Sequence, residues 1–147
     1  YLNRGKNLSQ DEIFEKYLQD IKDEQSQIKE ELLRGHVIAD RYCISTAAYQ
    51  GIDGSLELRM REIELSKLIK ADLCIWLDIS AEKAVKRKRG QKLPDRHEGD
   101  LNFLKKVNLN YRKLFLVSFM AKKWERIDAS KQKEEIFDRM KKQLGFR

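Results

Sequence analysis

The sequence feature that most constrains the fold is an almost continuous apolar run, LCIWLDI, at residues 73–79. A strand with one face in water alternates apolar and polar residues. A run that stays apolar at successive positions instead predicts a strand buried on both faces, which is typical of parallel sheets. Parallel strands need long crossover connections, usually helices, so this run predicts an α/β fold.

Helical periodicity on both sides of the run agrees with that fold class. Ser9 and Glu12 form a capping-box pattern, and apolar residues then recur at helical spacing as far as Gly35. Two more short strands are predicted, at residues 37–39 and 124–128. Further helices are predicted from about Ser45 to Tyr49, from Ser55 to about Ile69, after Ser80, over residues 103–115 and after Ser130. The predicted architecture is a parallel sheet flanked by helices.

Acidic residues stand where the predicted strands end. Asp40 follows the first strand and Asp128 ends the last, while Asp78 lies near the end of the central run. Open α/β sheets bind ligands outside the carboxyl ends of their strands. This edge is therefore where a site is expected.

The dipeptide Asp40-Arg41 at such an edge suits phosphoryl transfer. A carboxylate can accept hydrogen bonds from magnesium-bound water, and a guanidinium can bind phosphate through two N–H groups. The alternative is an ion pair that caps the following helix. That helix carries hydroxyl, ring and amide groups that could contact a sugar and a base, or could equally pack in the core: Ser45, Thr46, Tyr49 and Gln50.

A polar, cationic segment at about residues 86–100 follows the central strand and a short helix. Its position predicts a lid that closes positive charge over a polyphosphate and excludes water. The alternative is a solvated run of charge. Its basic residues are Lys86, Arg87, Lys88, Arg89, Lys92 and Arg96.

Composition narrows the classes of protein that need considering. The net charge of +7 fits either a Lys-rich surface or a cationic site for an anionic ligand. No nucleic-acid partner is expected, because aromatic residues are not interleaved with basic ones. No membrane span is expected either, because no run of 18 apolar residues occurs. Two cysteines, Cys43 and Cys74, cannot form a disulfide framework, so a reducing cytoplasmic setting is expected.

Four phrases in order resemble the thymidylate kinases, which are P-loop nucleoside monophosphate kinases: DRYCISTAAYQG, ADLCIWLDISAEKAVKRKRG, DRHE and ERIDAS. The resemblance covers the chain from about Glu30 to its end. It implies transfer of the ATP γ-phosphoryl group to dTMP, giving dTDP and ADP, with Mg²⁺. Members of the family are commonly dimeric, so the resemblance also raises a homodimer, although the amphipathic helices could equally pack within one chain.

The resemblance also implies roles for residues at matching motif positions. Asp40 would lie near the magnesium ion and the phosphates, and Arg41 would contact the acceptor phosphate. In the dTMP pocket, Ser45 and Thr46 would lie near the thymine, Tyr49 against the deoxyribose and Gln50 along the wall. On the ATP side, the lid arginines Arg87, Arg89 and Arg96 would brace the transferring phosphoryl group, and the turn Asp128-Ala129-Ser130 would lie beside the adenine.

The chain departs from the family pattern in its phosphate-binding loop. No GxxxxGK[ST] motif occurs, and GIDGS at residues 51–55 continues with Leu56 and Glu57 instead of completing one. We expect residues 1–147 to form a single partial kinase domain that lacks the N-terminal strand, P-loop and helix. A βαβ start of ~50–60 residues would precede Tyr1, which is not a Met, and the chain alone is expected to be inactive.

A second departure concerns the base. The thymine-reading Arg that the family usually carries would fall at about Asp20. The sequence therefore leaves open a kinase for another nucleoside monophosphate. The missing phosphate-binding loop separately leaves open a non-catalytic relative that binds nucleotide.

Overall fold

The computed structural model describes residues 8–88 and 100–145, which divide into two compact units between Lys70 and Ala71. The described part of the first unit contains four helices: α1 (Gln10–Asp23), α2 (Gln25–Leu32), α3 (Cys43–Gln50) and α4 (Leu56–Leu65). The second contains, in order, β1 (Ala71–Asp78), α5 (Ala81–Lys88), α6 (Leu101–Leu116), β2 (Ala121–Asp128) and α7 (Lys133–Gln143). None of the described helices combines the length and the apolar character needed to cross a bilayer.

The first unit is built on α3, which packs against both α1 and α4. Its helix α1 starts at the predicted capping box: the Ser9 hydroxyl accepts from the Glu12 N–H at 3.2 Å, and a Glu12 oxygen accepts from the Ser9 N–H at 2.8 Å. Apolar side chains from the three helices form the core, including Phe14, Leu18, Cys43, Ala47 and Ile63. This core fixes the position of α3, which carries the candidate substrate residues.

The long helix predicted from Ser9 to Gly35 is divided into α1 and α2 at Glu24. At the break the Gln25 side chain donates to the Ile21 carbonyl at 2.8 Å. Periodicity could not reveal this break, because the apolar spacing continues through it.

The strand predicted at residues 37–39 is wrong. Residues 36–39 have no regular structure, and Ile38 is 83% exposed. A strand needs a neighbour to satisfy its backbone N–H and C=O groups, and no strand among the described residues pairs with this segment. Asp40 therefore follows an exposed, irregular segment.

The second unit contains the predicted parallel sheet. Strands β1 and β2 pair in parallel, with Ala71 opposite Ala121 and Asp78 opposite Asp128. On one face Trp76 is buried and stacks on Tyr111 of α6, with ring centroids 6.2 Å apart. The strand was predicted to be buried on both faces. The face of Trp76 is buried, but Leu77 on the opposite face is 45% exposed.

The GIDGS segment forms the turn between α3 and α4, as predicted. A Cβ on Gly51 would lie 2.8 Å from the Ala47 carbonyl oxygen, so the chain can pass here only with glycine. Of the predicted helix caps, Ser80 is confirmed, because its hydroxyl accepts from the Lys83 N–H at 3.3 Å. Ser55 is not a cap: its hydroxyl makes no cap bond and donates to Asp53 instead.

Ser130 also fails as a predicted cap. Helix α7 begins two residues later than that prediction requires, and Gln132 is its N-cap. The Ser130 N–H instead donates to the Asp128 carboxylate, and this hydrogen bond closes a turn before the helix starts.

Candidate functional site

In the first unit, the turn before α3 brings two of the predicted site residues together. Arg41 has a left-handed backbone (φ 61°), and its guanidinium carbon lies 4.4 Å from the centroid of the Tyr49 ring. Asp40 and Arg41 are both exposed, while Tyr49 is half-buried. The turn therefore presents a carboxylate and a ring-supported guanidinium to solvent, a pair that suits a phosphate and its counter-ion.

The remaining predicted residues of α3 divide between its two faces. Ser45 and Tyr49 are both half-buried and four residues apart, so they share a face as predicted. Thr46 and Gln50 are each 8% exposed and belong to the buried side. Their roles at a base edge remain predictions.

The structure adds two residues that the sequence reasoning missed. Tyr42 is half-buried, and its hydroxyl lies 2.9 Å from the Nε2 atom of Gln25. Burial raises the pKa of the Tyr42 phenol, so it stays protonated. No spacing rule relates residues 17 positions apart, and Gln25 lies in an otherwise ordinary amphipathic stretch.

In the second unit, the carboxyl edge of the sheet holds two aspartates in register. Asp78 is ion-paired with Arg126, whose Nε lies 2.7 Å from the carboxylate, and the same guanidinium lies 5.3 Å from the centroid of Trp76. The backbone carbonyl of Asp78 accepts from the Ala129 N–H at 2.8 Å. Asp78 is thus held by Arg126 and by the Ala129 N–H, and Asp128 is the more exposed of the two carboxylates.

The turn that follows β2 is held by Arg87 of α5. Its guanidinium donates to the Ala129 carbonyl at 2.7 Å and to the Lys131 carbonyl at 3.3 Å. Inside the turn, the Ser130 N–H donates to Asp128 at 2.8 Å, and this bond lowers the pKa of that carboxyl group. The predicted ATP-side residues Arg87, Asp128, Ala129 and Ser130 are therefore neighbours.

An open cleft of about 540 Å³ lies at this edge of the second unit. Sequence reasoning missed three arginines on its wall, because they come from two separate helices and a strand. Both signs of charge line it, in the residues Asp78, Lys83, Arg112, Arg126, Asp128 and Arg139. Such a cleft can bind a polar, anionic ligand.

Asp40 was predicted to lie near magnesium. Across residues 8–88 and 100–145, no cluster of three or more His, Cys, Asp or Glu side chains could hold a metal ion. Mg²⁺ keeps several waters and takes further ligands from substrate phosphates, so one exposed carboxylate is a suitable protein contribution. Arg89, Arg96, the DRHE phrase and most of the predicted lid lie outside the described residues.

Comparisons with known proteins identify the family of the chain. The family model described as "Thymidylate kinase" matches residues 1–140. The chain is similar to the thymidylate kinase of Synechococcus sp. (strain RCC307), 40% identical over 105 residues, which are 68% of this chain and 47% of that relative. It is also similar to the thymidylate kinase of Prochlorococcus marinus (strain NATL2A), 34% identical over 112 residues, which are 74% of this chain and 51% of the relative.

A third relative lies outside that pair of genera. The thymidylate kinase of Dehalococcoides mccartyi (strain CBDB1) is 34% identical over 113 residues, which are 74% of this chain and 52% of the relative. The chain thus spans about half the length of the curated relatives it matches. With the family model matching nearly its whole length, the chain belongs to the thymidylate kinase family.

Proposed function

We propose that the protein containing this chain is a thymidylate kinase, which transfers the γ-phosphoryl group of ATP to dTMP. A phosphate oxygen of dTMP forms the new bond to Pγ, the bond from Pγ to the β–γ bridging oxygen breaks, and dTDP and ADP result. The observation that carries this proposal is Arg41, exposed and supported by the Tyr49 ring within the family phrase DRYCISTAAYQG.

Arg41 is proposed to bind the acceptor phosphate. A guanidinium that rests on a ring still has N–H groups at its edges, and these can form two parallel hydrogen bonds to a phosphate. The left-handed backbone at Arg41 fixes where the side chain leaves the turn. This arrangement favours a fixed position for the dTMP phosphate, which an in-line transfer requires.

Asp40, adjacent to Arg41, is proposed to contact magnesium-bound water. When bound, Mg²⁺ neutralises charge on the β- and γ-phosphates. Along α3, Tyr49 is proposed to contact the deoxyribose, Ser45 and Thr46 the thymine, and Gln50 the pocket wall. The half-buried positions of Ser45 and Tyr49 support contact with a ligand from solvent.

The ATP side is proposed to include Arg87 and the turn from Asp128 to Ser130, with Arg89 and Arg96 in a lid. Support comes from the two carbonyl contacts of Arg87, which join α5 to that turn. The 147 residues contain no GxxxxGK[ST] motif, so turnover is proposed for a protein that also supplies a phosphate-binding loop. The reduced thiols Cys43 and Cys74 support a cytoplasmic location.

A kinase for another nucleoside monophosphate is the second candidate. Asp20, which stands at about the position of the family's thymine-reading Arg, lies exposed on α1. A carboxylate there cannot donate to a thymine carbonyl. Either another residue contacts the thymine, or the acceptor carries a different base.

Turnover of four acceptors by the complete protein tests these alternatives. ADP release would be measured with ATP, Mg²⁺ and dTMP, dUMP, dCMP or dGMP. The thymidylate assignment requires the highest kcat/KM for dTMP. A preference for another acceptor would establish the second candidate, and no turnover with any acceptor would indicate a non-catalytic relative.

A further inference from the structure

Gln25, the first residue of α2, connects three separate parts of the first unit. Its Nε2 atom donates to the Ile21 carbonyl at 2.8 Å, at the end of α1. Its Oε1 atom accepts from the Ile69 N–H at 2.9 Å, beyond the end of α4. The Tyr42 hydroxyl lies 2.9 Å from Nε2 and 3.1 Å from Oε1, just before α3.

The two backbone contacts fix the orientation of the Gln25 amide. A carbonyl oxygen needs a donor and a backbone N–H needs an acceptor, so exchanging Nε2 and Oε1 would lose both bonds. Because the amide of Gln25 cannot flip, its contact with the Tyr42 hydroxyl has a fixed geometry. Gln25 is half-buried, which makes an unsatisfied group there costly.

Tyr42 directly follows Arg41, so its contact with Gln25 also restrains the backbone of Arg41. It is the N-cap of α3 and makes no side-chain cap bond, and its hydroxyl contacts Gln25. Residues 36–40 before it are exposed and irregular. Arg41 holds a left-handed backbone, which is unfavourable for a residue with a Cβ and persists only where the surroundings enforce it.

We propose that Gln25 is a positioning residue for the acceptor-phosphate contact. Through Tyr42 it holds the backbone of Arg41 so that the guanidinium rests on the Tyr49 ring. Gln25 itself does not touch the substrate. The predicted effect of Gln25 on kinetics rests on the proposed function, whereas its predicted effect on the position of Arg41 does not.

The kinetic test compares Gln25→Leu with Gln27→Leu, an exposed glutamine on the same helix, in the complete protein. We expect Gln25→Leu to raise the KM for dTMP about three- to tenfold, the effect of losing its hydrogen bond to Tyr42, and to leave the KM for ATP unchanged. Tyr42→Phe should do the same, and the double variant should be no worse than either single one. A dTMP KM equal to that of Gln27→Leu, or an equal rise for ATP, would overturn the proposal.

A spectroscopic test separates the proposal from the kinase assignment. The Tyr49 ring current should shift the side-chain NMR resonances of Arg41 upfield. Gln25→Leu should reduce that shift and Gln27→Leu should not. If the wild-type protein turns over no acceptor, the proposed function fails, and this shift alone decides the role of Gln25. If Gln25→Leu does not fold, Tyr42→Phe provides both measurements, and an unchanged Arg41 shift in it contradicts the proposal.

Discussion

The guanidinium carbon of Arg41 lies 4.4 Å from the centroid of the Tyr49 ring, which connects the turn before α3 to the last turn of that helix. Both residues were predicted from the sequence to contact dTMP, at different groups. Their contact means that a change at one alters the position of the other. Mutational effects at residues in contact are commonly non-additive, and we expect that here.

Replacing Arg41 by alanine should lower kcat/KM for dTMP more than tenfold. A charge-assisted bidentate contact contributes more than ~1.4 kcal/mol, which is the free energy equivalent of tenfold. Arg41→Lys should recover only part of this, because an ammonium cannot form the paired N–H contact. Steady-state kinetics would measure both, with the exposed Arg34→Ala as the control. A loss within tenfold for Arg41→Ala would remove the phosphate role.

At Tyr49, the ring and the hydroxyl can be tested separately. Tyr49→Phe retains the face on which Arg41 rests and should keep the KM for dTMP within about twofold of wild type if the ring alone matters. Tyr49→Leu removes the π face and should raise KM about two- to thirtyfold, the range for ~0.5–2 kcal/mol of cation–π energy. A large effect of Tyr49→Phe would show instead that the hydroxyl contacts the sugar.

Arg87→Met should raise the KM for ATP with little change in the KM for dTMP. The change removes the two hydrogen bonds that hold the carbonyls of Ala129 and Lys131, while keeping much of the side-chain length. Loss of two such bonds predicts roughly a tenfold effect. Lys106→Met, which removes an exposed charge on α6, is the matched control. Equal effects on both substrates would contradict an ATP-side role for Arg87.

Arg59 of α4 should contribute to stability through packing as much as through charge. Its side chain is 4% exposed, pairs with Asp11 and Glu62, and lies 4.5 Å from the centroid of Phe14. We expect Arg59→Ala to lower the free energy of unfolding by about 2 kcal/mol. Arg59→Met should cost less, because it fills the space and removes a buried charge.

Urea denaturation would measure both Arg59 variants. Asp11→Ala should also destabilise, because it leaves the buried guanidinium short of a partner, while alanine at the exposed Asp20 on the same helix serves as control. Equal stability of Arg59→Met and Arg59→Ala would show that packing on Phe14 contributes little.

Cys74 in β1 should make stability fall in alkaline solution. Burial raises the pKa of its thiol from 9.0 to about 11. The stabilising contribution is fully present below about pH 9, and it is lost as pH rises from there through 11, because the unfolded thiol ionises first. Melting temperatures from pH 8 to 11 should therefore fall more steeply for wild type than for Cys74→Val. Parallel curves would refute the shift.

Several features of the fold could be predicted from local sequence because their physical causes are local. The capping box joins Ser9 and Glu12, which are only three positions apart, and Gly51 and Gly54 predicted the GIDGS turn. The apolar run in β1 predicted a parallel strand, and its pairing with β2 confirms it. The strand predicted at residues 37–39 failed because pairing depends on a neighbour, which the segment itself does not encode.

The sequence by itself determined the α/β class and the family, and it predicted the candidate residues of the site, because periodicity and motif spacing carry that information. Only the tertiary structure decided which of those residues meet: Arg41 with Tyr49, and Arg87 with the carbonyl of Ala129. It also revealed Gln25, which contacts Ile21, Tyr42 and Ile69. Contacts between residues far apart in the chain arise from packing, and no local pattern encodes them.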